Sequence, residues 1–268
     1  MRILKLIIIS MWPVAILTHN TQLDAFEYLL PAFLLLGAYF LWEKRLEWWG
    51  IPIVLVTIVS PKLALFPLLL FALLIVTSKT KRALLYMYLF CSLFVGAIFF
   101  QEFKGQTVIG ITHDEQQAVV QQTNLYDSIF VARVMHNKVR VVGDKAIDRF
   151  FAITDPNNYF FGFHPRQIQV NNQNLQKYPF AAIIFFVLGL LGYSTLKEKK
   201  WIFISLFALI LNLSLLTVFD RNDAILMLPV TLITLHGVDE LKKYKYVGVV
   251  FGIASLFSLV DLFRLFLT

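Results

Sequence analysis

The sequence predicts an all-α fold, a polytopic membrane helix bundle carrying one polar insert, on three observations. The 268 residues are 58% hydrophobic with mean hydropathy +0.70, and 15% are charged against about 25% in soluble domains. The apolar residues gather in nine segments, at 3–19, 26–42, 51–60, 62–77, 83–100, 179–196, 201–219, 224–238 and 246–266. Several of these approach the roughly 17–25 residues a helix needs to cross hydrocarbon, which predicts eight or nine membrane helices. A single polar stretch, 101–178, interrupts the series, dividing the chain into N-terminal membrane helices (1–100), the insert, and C-terminal membrane helices (179–268).

The first segment follows Arg2 and Lys5 as a signal peptide would, but Thr18-His19-Asn20 lacks a small-residue cleavage pattern, so it reads as an uncleaved helix. Ser60-Pro61-Lys62, with Pro52 and Pro67, breaks the run at 51–77 into two short halves. These are either two tilted crossings or a re-entrant hairpin. Lys and Arg set the orientation. Thirteen (Arg2, Lys5, Lys44, Arg45, Lys79, Lys81, Arg82, Lys197, Lys199, Lys200, Lys242, Lys243, Lys245) fall in alternate short loops, and only Lys62 and Arg221 fall on the other side. The positive-inside rule then predicts a multi-pass protein of the plasma (inner) membrane and cell envelope, N-terminus cytoplasmic and insert external. Trp42, Trp48, Trp49 and Trp201 beside the basic loops agree, as headgroup-layer anchors.

The insert contains seven acidic and eight basic residues. Leu125, Ile129, Phe130 and Val134 recur at helical spacing, and Ala146, Ile147, Phe150 and Phe151 do so again after Gly143-Asp144. Short amphipathic helices on a membrane surface are expected. Asp155-Pro156-Asn157-Asn158 signals a turn, and the Asn- and Gln-rich stretch from Gln167 to Gln176 a loop. The net charge of +7 does not point to nucleic acid, because the basic residues occupy short loops and not one helical face. The one cysteine, Cys91, excludes an intrachain disulfide and a cysteine metal site.

Several residues have chemistry to offer. Asp24 and Glu27, three apart, share one face of a helix beginning there. They serve either as cap and dipole partner or as a general base toward an acceptor hydroxyl. Arg133, His136, Asn137, Lys138 and Arg140, followed by Arg166, supply forked donors and point charges suited to a lipid phosphate or pyrophosphate, or else form a solvated face. Arg221, in Phe219-Asp220-Arg221-Asn222-Asp223, is either a phosphate ligand or a partner of Asp220 or Asp223. His113 (beside Asp114 and Glu115), His136 and His164 match no metal-site spacing, so neither metal nor other cofactor is expected. Asp261 and Arg264 are spaced to pair, and Gly248 and Gly252 to permit close helix approach.

The order Arg133-x-x-His136-Asn137-Lys138, the aromatic run Tyr159-Phe160-Phe161-Gly162, Pro179 opening a helix, and Arg221 before Pro229 resembles the C-terminal part of GT-C membrane glycosyltransferases that use lipid-linked sugars. The group includes protein mannosyltransferase-like and aminoarabinose transferase-like enzymes, and the similarity covers about residues 120–245. The resemblance implies transfer of a sugar from a polyprenyl-phosphate donor to an acceptor on the outer face. It places the base on Asp24 or Glu27, and the donor phosphate on Arg221 with Arg133, Lys138 or Arg166. Two departures stand out: the acids are not adjacent, and the first external loop is short, so a reduced or partial relative is implied. The other function class is a non-catalytic integral membrane subunit or scaffold that binds a membrane-protein partner through the insert. Membrane lipids are partners in either case. A transporter is disfavoured, since helix interiors hold few ionisable groups and no inverted halves are visible.

Overall fold

The structure is a computed structural model, and it describes residues 26–77, 82–125, 137–160, 182–192, 200–217 and 225–240 with isolated positions besides, among them 169–170, 173–174 and 178. Among the described residues are ten α-helices and one two-residue antiparallel strand pair. The helices are α1 (Phe26–Glu43), α2 (Gly50–Val59), α3 (Leu65–Thr77), α4 (Arg82–Ile98) and α5 (Phe100–Gly105), then α6 (His113–Thr123), α7 (Lys138–Thr154), α8 (Ala182–Gly192), α9 (Lys200–Ser214) and α10 (Met227–Glu240).

Helix α1 ends where Arg45 adopts a left-handed φ of 58°. Arg45 N donates to Trp42 O at 2.9 Å and Leu46 N to Leu41 O at 3.0 Å, the paired bonds of a Schellman cap. Helix α2 ends at Ser60, which the following Pro61 forces out of helical geometry, to φ −135° and ψ 96°. One 3-10 turn, Pro61–Leu63, then leads into α3. Helices α1 to α4 and α9 enclose an aromatic cluster: Trp42 meets Trp49 edge-on at 4.7 Å, Trp49 meets Phe71 at 5.6 Å and Trp201 at 6.3 Å, and Phe71 stacks on Tyr88 at 5.4 Å. Gly50 lies under the Tyr88 ring, and the Tyr88 hydroxyl donates to the carbonyl of Glu47 at 2.5 Å. Three of the four tryptophans that the sequence sets beside basic loops are therefore in one aromatic contact, Trp49 and Trp201 buried and Trp42 half-buried.

The expected membrane bundle is not borne out among the described residues. Among the described residues no helix is long and apolar enough to cross a membrane. The described helices in the apolar runs are short: α2 and α3 have 10 and 13 residues, and the described parts of α8, α9 and α10 have 11, 15 and 14. At about 1.5 Å per residue these are roughly 15–23 Å long, well under about 30 Å of hydrocarbon. Ser60-Pro61 divides one run, a break at Phe99 stops α4 after 17 residues, and α1, the longest at 18, contains Pro31 and two glutamates. The expectation of a multi-pass plasma-membrane protein of the cell envelope, with its transmembrane helices, crossing count and cytoplasmic-to-external orientation, is corrected accordingly. The apolar run 51–77 is one that the backbone does not keep as a single helix. Segments 3–19 and 246–266 lie largely outside the described residues.

The polar stretch is built onto the helices rather than apart from them. Val108 N donates to Leu215 O at 2.8 Å and Thr217 N to Gln106 O at 2.8 Å, either side of a bridge between Thr107 and Leu216. Helix α7 packs on α9 and runs unbroken through Gly143-Asp144, where the sequence pattern suggested a new start. Asp155 caps the following turn by accepting from Asn157 N at 2.9 Å. Within the expected loop 167–176, Gln169–Val170 pairs with Gln173–Asn174.

Candidate functional site

Helix α6 begins with a capping box: Thr112 N donates to Glu115 Oε2 at 2.9 Å, and the Thr112 hydroxyl accepts from Glu115 N at 3.3 Å. Glu115 also holds Lys145 of α7 at 2.5 Å. The Lys145 ammonium and then the Thr112 backbone N–H keep the Glu115 carboxyl below its ordinary 4.5. This acid, two residues from His113, clamps α6 to α7. Helix α7 is capped by Asn137, whose Oδ1 accepts from Arg140 N at 2.8 Å.

Between the two helices lies a cleft of about 200 Å³, lined by Val119, Gln122, Asn137, Arg140, Val141 and Asp144. Arg140 Nε stands 3.6 Å from Asp144 Oδ2, both well exposed. The lining combines two amides, a guanidinium and a carboxylate with two valine side chains. That set can both donate to and accept from hydroxyls and, through Arg140, grip an anionic oxygen. The volume is below the roughly 300–1,000 Å³ of drug-sized sites, so it suits one small polar unit. Lys138, exposed in the first turn of α7, lies on the same helix end.

Helix α1 carries Glu27 in its first turn. Its last turns pack at Trp201, the start of α9, where Tyr39 and Trp42 stand 6.0 and 6.3 Å away. It folds back on α2, whose far end reaches Lys62, and the Lys62 carbonyl accepts from Asn212 near the end of α9 at 3.0 Å. Glu27 therefore starts α1 on the side where Leu215 and Leu216 receive the polar stretch. Of the other nominated residues, Asp24, Arg133, His136, Arg166 and Arg221 lie outside the described residues, as do His164, Asp261, Arg264 and Gly248, and the side chain of Glu27 does as well. A Cβ at Gly252 would meet nothing within 4 Å. Among the described residues no group of three His, Cys, Asp or Glu side chains is placed to hold a metal.

Two polar constellations escaped the sequence reading. His236 Nε2 and Glu240 Oε1 stand 3.4 Å apart on α10, both nearly buried, and a Cβ at Gly192 of α8 would strike Glu240. Their i, i+4 spacing in an apolar run was the available signal. The hydroxyl of Tyr178 donates to the Met227 carbonyl at 2.7 Å and also meets the Thr231 hydroxyl. Tyr178 is fully buried, and burial drives its phenol well above the ordinary 10.0. Gln122 and Asp144, which complete the cleft, carry no sequence signal beyond the Arg140–Asp144 spacing. No protein family, curated protein or solved structure matches the chain.

Proposed function

We propose that the chain acts on a sugar carried by a polyprenyl phosphate, transferring it to an acceptor hydroxyl. The observation that carries this reading is the α6–α7 cleft, sized for one small polar unit and lined by Gln122, Asn137, Arg140 and Asp144. Planar amide, guanidinium and carboxylate groups match the paired hydroxyls of a pyranose, and the valines suit its C–H face. The layout that resembles lipid-linked-sugar transferases supports the same substrate class.

In the proposed reaction Asp24 or Glu27 accepts the proton of the acceptor hydroxyl as its oxygen attacks the anomeric carbon. The bond from that carbon to the phosphate oxygen breaks, and the leaving phosphate takes the electron pair with inversion at carbon. Lys138, with Arg133, Arg166 and Arg221, would neutralise the charge that develops on the phosphate. The test is transfer of radiolabelled sugar from a polyprenyl-phosphate donor by the full chain. Asp24→Asn or Glu27→Gln should lower turnover by about two orders of magnitude, the typical contribution of a general base. Transfer that survives both substitutions unchanged removes the base from the proposal.

A second reading, a non-catalytic subunit that binds a partner through the polar stretch, is favoured by one observation: Ile147 and Phe151, one turn apart on α7, are 53% and 67% exposed. In that case Ile147→Asp and Phe151→Asp abolish complex formation, and no donor supports transfer.

A further inference from the structure

Helix α4 buries Leu85, Tyr88 and Ser92 against its neighbours and turns a wholly apolar face outward. Tyr86, Met87, Phe90, Leu93, Phe94 and Ile98 on that face are each at least half exposed, Phe90 and Phe94 at 71% and 65%. No ionisable acid or base interrupts it between Arg82 and Glu102, apart from weakly acidic tyrosine and cysteine groups. With aromatic side chains offering about 150–250 Å² each, the six expose on the order of 600–700 Å². That exceeds the roughly 300–600 Å² of the largest patch on a typical monomer and approaches the roughly 800 Å² that each partner buries in a standard interface.

We infer that this face pairs with the same face of a second copy, the two α4 helices lying antiparallel across a two-fold axis between Leu93 and Phe94. The argument is one of self-complementarity. Toward its N-terminal half the face bears the protruding Phe90, and one and a half to two turns on it bears Gly96 and Ala97. Those small residues open a cavity of about 370 Å³, lined further by Leu65, Leu68, Phe100 and Phe103. An apolar cavity of about 150 Å³ already accepts benzene, so this one has room for a phenyl ring. A two-fold between Leu93 and Phe94 sets Phe90 of each copy opposite Ala97 of the other, and both rings enter both cavities at once. A two-fold contact demands this reciprocity, in which the patch fits itself. Removing these side chains from water desolvates no full charge, so the pairing carries no ionic penalty.

The test is the mass of the purified full chain by sedimentation, with oxidative cross-linking in parallel. A dimer of twice 30.9 kDa is expected. Ala97 is exposed in the protomer, so Ala97→Phe fills the cavity mouth without touching the core, and it should weaken the dimer at least about tenfold, as loss of a central anchor does. In a Cys91→Ser background, Phe94→Cys should cross-link on oxidation, whereas Val76→Cys, 82% exposed on α3, should not. A chain that stays monomeric at all concentrations, with lipid or detergent bound to α4, overturns the inference. So does a dimer indifferent to Ala97→Phe, or equal cross-linking at both positions.

Discussion

Gly237 of α10 lies so close to the carbonyl oxygen of Phe185 on α8 that a Cβ at position 237 would overlap that oxygen. The same holds one turn away, where a Cβ at Gly189 would strike the carbonyl of Ile233. The two helices thus meet backbone to backbone, and Tyr178 and Phe160 seal the contact, with Phe160 5.5 Å from Phe186 and 5.7 Å from Tyr178. Gly237→Ala should therefore lower stability by about 3 kcal/mol, at the upper end of overpacking costs, because the obstacle is backbone and cannot change rotamer. Denaturant unfolding measures it, and a neutral Gly237→Ala would show that the helices sit further apart.

The cap of α1 predicts the opposite sign. Arg45 holds a left-handed conformation that costs an L-residue roughly 1 kcal/mol and glycine almost nothing. Arg45→Gly should raise stability by about 0.5–1 kcal/mol, despite the loss of a charge, provided the Schellman bonds are kept. A lower melting temperature in Arg45→Gly would mean that the arginine side chain stabilises the turn by more than its backbone strain.

Trp201 is 1% exposed at the meeting point of α1, α2 and α9. Trp201→Ala should cost about 3–5 kcal/mol, the range for emptying a large aromatic site. Calorimetric or denaturant unfolding will show it. A loss under about 1 kcal/mol would mean that the aromatic cluster is not the core of this end.

Two groups give the chain a defined pH response. The Glu115 carboxyl is depressed in the folded state, chiefly by Lys145, so its contribution is present above the unfolded value near 4.5 and is lost as pH falls through the lower folded value. Lys145→Ala should remove this acid-side dependence while costing no more than about 1 kcal/mol at neutral pH, since the pair is partly exposed. Tyr178 is shifted upward by burial, so its contribution is intact below the ordinary 10.0 and erodes as pH rises beyond it. Tyr178→Phe should lose about 1 kcal/mol at neutral pH and flatten the alkaline limb of the stability profile. An alkaline limb unchanged by Tyr178→Phe would place the titration elsewhere.

What the sequence made legible was local. The Ser60-Pro61 break and the Asp155 turn follow from proline and aspartate acting on their own backbone, and they appear where those residues stand. Arg140 is marked by its basic neighbours, but nothing in the residue order joins it to Gln122 on another helix, which lines the same cleft. The membrane expectation rested on apolar residues counted along a run; the Ser60-Pro61 break, legible in the sequence, leaves helices of only 10 and 13 residues, and Phe99 ends α4 with no proline or glycine at the break to mark it. Small-residue spacing points to Gly252 with Gly248, which lies outside the described residues, and it misses the close approach at Gly189 and Gly237 on two different helices, a relationship that packing establishes.

Binding of a polyprenyl-phosphate-linked sugar to the full chain, titrated at equilibrium, tests the proposed α6–α7 site most directly. Saturable binding should weaken about tenfold or more in Arg140→Ala, the usual loss of a charge-assisted hydrogen bond, and in Gln122→Ala to a lesser degree, while Lys104→Ala, outside the cleft, leaves it unchanged. Donor binding that is absent, or equally strong in Arg140→Ala and Gln122→Ala, would contradict the assignment of the cleft.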